Sequence, residues 1–172
     1  MTQTFTGTEI ADATRGVLHV DAPSGGIVTD TRRISPGYWF LALRGERFDG
    51  HAFVEDAVAA GAVGVIVESL DGVPKHSGCV QVRDTLRALQ DLALAARHTY
   101  GGLVVGVTGS SGKTTTRALI AAAMGKARSV HATQGNWNNH IGLPLTLLAS
   151  TGDEDAWIVE MGTSSPGEIG RL

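Results

Sequence analysis

The run LVVGVTGSSGKTTTRALIAAAMG, from Leu103 to Gly125, allows few folds. LVVGVT is nearly continuous in apolar residues, as in a parallel strand covered on both faces. GSSG follows at once, and KTTTRALIAAAMG reads as a helix. Gly109 and Gly112 let the backbone turn its N–H groups inward with no Cβ in the way, and the helix N-terminus points its dipole at the same spot. Ser110 and Ser111 complete the loop, and Lys113 adds a mobile positive charge. Thr114 places a hydroxyl where a phosphate-bound Mg²⁺ takes an oxygen, and Thr115 follows in the first turn. The general phosphate-loop pattern asks for a further glycine at position 107, which is Val107; the nearest glycine is Gly106. A glycine-rich turn with a surface lysine is the plain alternative. The order strand, loop, helix favours phosphate binding.

The rest of the chain fits an α/β architecture. Of 172 residues, 42% are apolar and 23 are glycine, while aromatics make up 5%. That pattern favours close helix–sheet packing over a β-sandwich. A net charge of −3 gives no reason to expect nucleic acid. The single cysteine, Cys79, has no internal partner, and a reduced cytoplasmic setting is expected. The N-terminus lacks the apolar core of a secretory signal, and no apolar run reaches the roughly 18 residues of a membrane span.

Before Leu103, TGTEIADATRG predicts a short helix ending at Gly16. Ile27–Thr29 and Trp39–Leu43 predict strands separated by the turn SPG. A turn at Asp49-Gly50 leads into a helix stopped by Gly61, and AVGVIVE follows as a buried strand. CVQV is another strand, and Asp84 caps a helix running to about Tyr100. After Gly125, ARSVHAT predicts a strand, QGNWNNHIG a polar loop and LPLTLLAS a helix with Pro144 in its first turn. AWIVEMG predicts a buried strand, and SSPGEIGRL the start of a helix. Trp39 and Trp157 are expected in the core. His19, His76, His98 and His131 show no ligand spacing, and His140 is expected at the surface.

Glu160 ends the apolar run of AWIVEMG, at the carboxyl end of a buried strand, where open α/β sheets place their ligands. A carboxylate there is costly unless it is paired or holds a metal. Mg²⁺ coordination is the expectation, and a salt-bridged or capping glutamate the alternative. Asn136, Asn138 and Asn139 share one loop. Their amides suit a sugar, a pyrophosphate or a peptide, or they satisfy their own backbone.

Four segments in order resemble the Mur ligases, ATP-dependent amide-forming enzymes of peptidoglycan precursor synthesis: TDTRRISPGYWFLALRGERFDGHAFVEDAVAAGA, GVTGSSGKTTT, GNWNNHIGLPLTLL and WIVEMGTSSPGEIGRL. The third is closest to the branch of the family that adds D-alanyl-D-alanine; the branch that adds the third peptide residue usually has a different segment there. The resemblance implies an N-terminal UDP-MurNAc-peptide-binding domain over residues 1–100 and the opening of a central ATP-binding, doubly wound domain over residues 101–172. It implies ATP and Mg²⁺, with UDP-MurNAc-tripeptide and D-alanyl-D-alanine as substrates, and a monomer is expected. Lys113 and Glu160 take catalytic roles, Thr114 and Glu160 hold the metal, and Gly109 to Thr115 with Asn136 hold the nucleotide. Asp30, Thr31, Arg32, Arg44, Asp49, Gly50 and His51, with Asn138 and Asn139, contact substrate. For the first group an equally simple reading exists: DGH works as a turn and N-cap, and Arg32 as a solvated side chain. Ligases of this kind have three domains, so the rest of the central domain and the C-terminal domain fall outside this sequence, and activity of this stretch by itself is not expected. A third-residue-adding ligase and a non-catalytic nucleotide-binding module are the competing readings.

Overall fold

The computed structural model describes residues 2–45, 48–163 and 167–169. The chain divides into two compact units, one from Gln3 to Leu92 and one from Ala93 onward.

In the first unit, α1 (Gly7–Thr14) opens with a capping box. Thr6 accepts the Glu9 N–H, and the Glu9 carboxylate accepts the Thr6 N–H at 2.7 Å. The helix closes on Arg15 in the left-handed region (φ 53°), one residue before the glycine expected to stop it. Strands β1 (Val17–Val20), β2 (Ile27–Val28) and β3 (Trp39–Leu41) follow. A small hairpin pairs β4 (Arg44–Gly45) with β5 (Phe48–Asp49). A 3-10 turn over Gly50–Phe53 leads into α2 (Val54–Ala59), β6 (Gly64–Val67) and β7 (Gly78–Gln81). The five-stranded sheet has the order β1-β7-β6-β3-β2, parallel except for β1. Phe40, Val65, Val67 and Cys79 form one core cluster with Val54 and Ala57 of α2. The period-2 alternation of the strands therefore points one set of side chains at that helix.

Trp39 explains part of the glycine content. The ladder register sets Trp39 opposite Gly64, and Gly64 opposite Gly78. A Cβ at Gly64 would fall 2.4 Å from the indole ring, and one at Gly78 2.9 Å from it. The ring is fully buried and its Nε1–H donates to the Pro23 carbonyl at 3.1 Å, so it is pinned in a slot that glycines leave open.

The helix α3 (Thr85–Thr99) starts where Asp84 accepts the Arg87 N–H, as expected for its cap. The division between the two units falls inside α3, upstream of the 100/101 boundary expected from the sequence. Next come β8 (Leu103–Val107), α4 (Lys113–Met124), β9 (Val130–Ala132), α5 (Gly142–Leu148) and β10 (Ala156–Glu160). The second sheet is parallel, ordered β8-β10-β9. Its central strand β10 is buried throughout, and Trp157 stacks on Tyr100 with ring centres 3.8 Å apart. The expectation that β8 is covered on both faces is not met: Leu103 is 53% exposed. The physical reason is position, since among the described residues β8 has a ladder partner on one side only. The expected helix start over SSPGEIGRL falls largely outside the described residues.

Gly64→Ala is expected to destabilise the chain by about 1–3 kcal/mol, because the pinned indole cannot yield to the new methyl. Urea unfolding measures it. Gly101→Ala is the control, because no atom lies within 4 Å of its added Cβ and the midpoint should stay close to wild type.

Candidate phosphate and cation site

The loop leaves the sheet after Val107, whose carbonyl accepts the Met161 N–H at 2.9 Å. Gly109 (φ 144°) and Gly112 (φ 75°) both take backbone conformations that favour glycine. Gly112 is also the N-cap of α4, and no side chain caps that helix or places an acidic group in its first turn. The orphan N–H groups of the first turn and the positive end of the helix dipole are therefore available to an anion. Ser110, Ser111, Gly112, Thr114 and Thr115 are exposed. The Lys113 ammonium folds back across the loop and donates to the Gly109 carbonyl at 2.8 Å.

Glu160, at the end of β10, has a side chain only 3% exposed. Its Oε2 accepts the Thr114 hydroxyl at 3.0 Å, and its Oε1 accepts an Asn138 amide N–H at 2.8 Å. Its backbone N–H donates to Thr133 Oγ1 at 2.9 Å. The Arg117 Nε stands 3.5 Å from Oε2. The residues fit a Mg²⁺ that arrives with phosphates. A buried carboxylate faces a hydroxyl beside an anion loop, and Mg²⁺ is commonly held by one or two carboxylates plus substrate phosphates. Among the described residues there is no group of three or more His, Cys, Asp or Glu side chains that could hold a metal.

The asparagine loop is largely scaffolding. Asn139 Oδ1 accepts the N–H groups of Ile141 (3.1 Å) and Gly142 (2.8 Å) at the start of α5. Asn136 is exposed, and its carbonyl accepts the Asn138 N–H. Asn138 is held further by its carbonyl, which accepts the Gly162 N–H at 2.7 Å, so its amide is aimed at Glu160. Arg117 and Thr133 were not legible as site residues. The available signal for Arg117 was its i+4 spacing from Lys113 on one helix.

In the first unit, the segment 29–32 and Phe40, Phe48 and Phe53 line a cavity of about 350 Å³. Phe48 and Phe53 stack at 5.7 Å with 12° between their planes. Asp30 caps the short turn Thr31–Arg33 and grips the Arg32 guanidinium through both oxygens. The hydrogen bond from Arg32 holds the Asp30 carboxyl below its ordinary range and raises Arg32 in turn. The Arg32 side chain is otherwise free in solvent, 86% exposed. Aromatic surface with a polar rim suits a flat ring with hydrogen-bonding edges. The two phenylalanines flank DGH and were missed as candidates.

Arg44, Asp49 and His51 do not line that cavity. They close a network with Glu68 and Thr85. Arg44 pairs with both Asp49 and Glu68, at 2.9 and 3.0 Å. His51 Nδ1 meets Asp49 at 2.6 Å, and its Nε2 accepts the Glu68 N–H at 2.8 Å, which assigns the ring proton to Nδ1. Glu68 Oε1 accepts the N–H and hydroxyl of Thr85, whose Oγ1 accepts the Arg44 N–H. Gly50 packs against Ala42 and Leu43 so closely that a Cβ would come within 2.9 Å of their backbone.

Residues 24–97 match the family model described as Mur ligase family, catalytic domain, and residues 107–172 match the one described as Mur ligase middle domain. The chain is 49% identical over 148 residues to the UDP-N-acetylmuramoyl-tripeptide--D-alanyl-D-alanine ligase of Bacillus subtilis, an alignment covering 86% of this chain and 32% of that protein. A crystal structure of MurF from Acinetobacter baumannii superposes with a TM-score of 0.90 at 34% identity, covering 99% of this chain and 38% of the other. MurF from Thermotoga maritima in complex with ADP superposes at 0.77 and 36% identity, covering 86% of this chain and 34% of the other. The chain spans about a third of the length of the curated relatives it matches.

The Asp49 network makes a pH prediction. The backbone N–H of His51, helped by the His51 ring and Arg44, lowers the Asp49 pKa from 3.8 to about 2. A depressed carboxylate contributes stability above its unfolded value, and that stability is lost as pH falls through the folded one. Asp49→Asn should therefore melt below wild type at neutral pH, with the gap closing between about pH 4 and pH 2. Solvent screening of a half-exposed side chain keeps the gap to roughly 1 kcal/mol or less. Melting curves over that range check it, and a gap unchanged at pH 2 would contradict the assignment.

Proposed function

Because the chain belongs to the Mur ligase family, we propose that it is the substrate-docking and phosphate-holding part of an ATP-dependent ligase that joins D-alanyl-D-alanine to UDP-MurNAc-tripeptide. The observation that carries this reading is the pairing of the Lys113 loop with a buried Glu160 bonded to Thr114. In such a reaction the γ-phosphoryl of ATP moves to the substrate carboxylate. The amine of the dipeptide then attacks the acyl phosphate and phosphate leaves. Charge spreads over the transferring oxygens, so the protein's part is positioning and cationic stabilisation.

The loop N–H groups of residues 109–115 bind the phosphates, and the Lys113 ammonium exchanges its carbonyl partner for a phosphate oxygen. Thr114 and Glu160 hold Mg²⁺, which when bound neutralises phosphate charge. Asn138 acts through Glu160, and Asn139 by capping α5. In the first unit the cavity beside Asp30, Thr31 and Arg32 takes the uridine, its base against Phe48 and Phe53. Arg44, Asp49, Gly50 and His51 fix the hairpin that carries Phe48. A relative at 49% identity named for the tripeptide–D-alanyl-D-alanine reaction supports this branch over the third-residue-adding one.

Calorimetric titration of this chain with UDP-MurNAc-tripeptide, with UDP-GlcNAc as control, tests the docking half. Saturable binding that prefers the tripeptide form is expected, and equal or absent binding of both would reject it. For the phosphate half, Lys113→Ala in the complete ligase should lower kcat by about 10²–10³-fold, as for loss of one preorganised donor to a developing charge. Near-normal turnover in that variant would reject the role of the loop.

A further inference from the structure

Arg117 lies one helical turn beyond Lys113 on α4, but its surroundings differ. Its side chain is 14% exposed. One end of the guanidinium, Nη1, donates to the Thr133 carbonyl. The Nε is buried with no hydrogen-bond partner among the described residues and stands 3.5 Å from Glu160 Oε2. A buried donor left unsatisfied is costly, so this geometry is informative: a small approach of the carboxylate would satisfy it. Oε2 is also the oxygen that accepts the Thr114 hydroxyl.

We propose that Arg117 is a positioning residue for the cation site, holding the Glu160 carboxylate in register with Thr114 through a guanidinium that Thr133 fixes in place. The inference rests on the reading of Thr114 and Glu160 given above. Groups on α4 and in the segment after β9 converge on Glu160. Thr133 meets the Glu160 backbone N–H through its hydroxyl and Arg117 through its carbonyl, so a single residue after β9 ties the strand end to the helix. Asn138 fixes the other carboxylate oxygen. Arg117 supplies the positive charge in this buried cluster, and its rigid fork reaches Thr133 and Glu160 together. A lysine would keep the charge without that two-point geometry. Groups that orient a metal ligand commonly shift metal affinity by about 10–100-fold when removed.

The test measures ADP affinity of this chain by calorimetry in EDTA and in Mn²⁺, with Mn²⁺ occupancy read by electron paramagnetic resonance. In wild type, Mn²⁺ should strengthen ADP binding. In Arg117→Met the Mn²⁺-dependent gain should fall about tenfold or more, while ADP affinity in EDTA stays within about twofold of wild type. Arg117→Lys should fall between, and it carries the test if the methionine variant melts early. Equal loss in EDTA and Mn²⁺ would make Arg117 a phosphate contact or a merely structural group and overturn the proposal. Unchanged or stronger Mn²⁺ binding would overturn it as well. Two wild-type outcomes separate its failure from that of the underlying reading. No ADP binding at all would reject the phosphate loop and this proposal together. ADP binding without any Mn²⁺ gain would reject the cation role of Glu160 and leave the loop standing.

Discussion

The parallel pairing of β8 with β10 decides where the chemistry of the second unit can sit. The ladder runs without a break from Leu103 opposite Ala156 to Val107 opposite Glu160. The chain therefore leaves β8 for the glycine loop at the level where β10 presents its carboxylate. A slip of one residue would turn Glu160 to the other face and bring Val159 level with the loop. Nothing in the loop itself could repair that, because Thr114 reaches Glu160 across 46 positions of sequence. The continuous burial of β10 and the stack of Trp157 on Tyr100 hold the register, so apolar packing fixes the polar site.

The first unit obeys a similar constraint from a single large side chain. Trp39 occupies a row of the sheet that runs through Gly64 and Gly78, and neither position has room for a methyl. The high glycine content is thus partly the imprint of one indole. Seating that ring places β3, and β3 delivers Phe40 to the floor of the cavity on the opposite face. The polar residues near the cavity divide by environment. Asp30 and Arg32 lie at its rim, while Arg44, Asp49 and His51 are spent on one another and on Glu68 and Thr85.

What could be read from the sequence follows from how local each cause is. The strand–loop–helix order, the Asp84 cap, the buried run ending at Glu160 and the two core tryptophans each depend on a few neighbouring residues, and the structure shows them all. The Asn139 cap is local too, and it was one of two readings the loop composition left open. Partnerships between distant segments were not legible. Asn138 reads as one of three equivalent amides until the fold brings Glu160 against it. Arg117 reads as a helix-surface cation until Thr133 and Glu160 arrive from 16 and 43 positions away. The exposure of β8 was missed for the same reason. An apolar run shows that a strand prefers burial, not how many neighbours it has.

Lys113 and Arg117 show how one helix face separates two tasks that both require positive charge. Lys113 is bonded to a loop carbonyl, a neutral partner that a phosphate oxygen can replace at little cost. Its single flexible ammonium suits a group that must let go and take hold again. Arg117 is mostly buried, anchored at Thr133 and set against a carboxylate whose two oxygens are held by Thr114 and Asn138. Freeing it would leave a buried ionised group without its counter-charge, which costs far more than freeing Lys113. The first cation is therefore built to exchange partners and the second to keep them. One turn of α4 is enough to separate the two because α4 starts at the loop and packs against β10, with Arg117 beside Glu160.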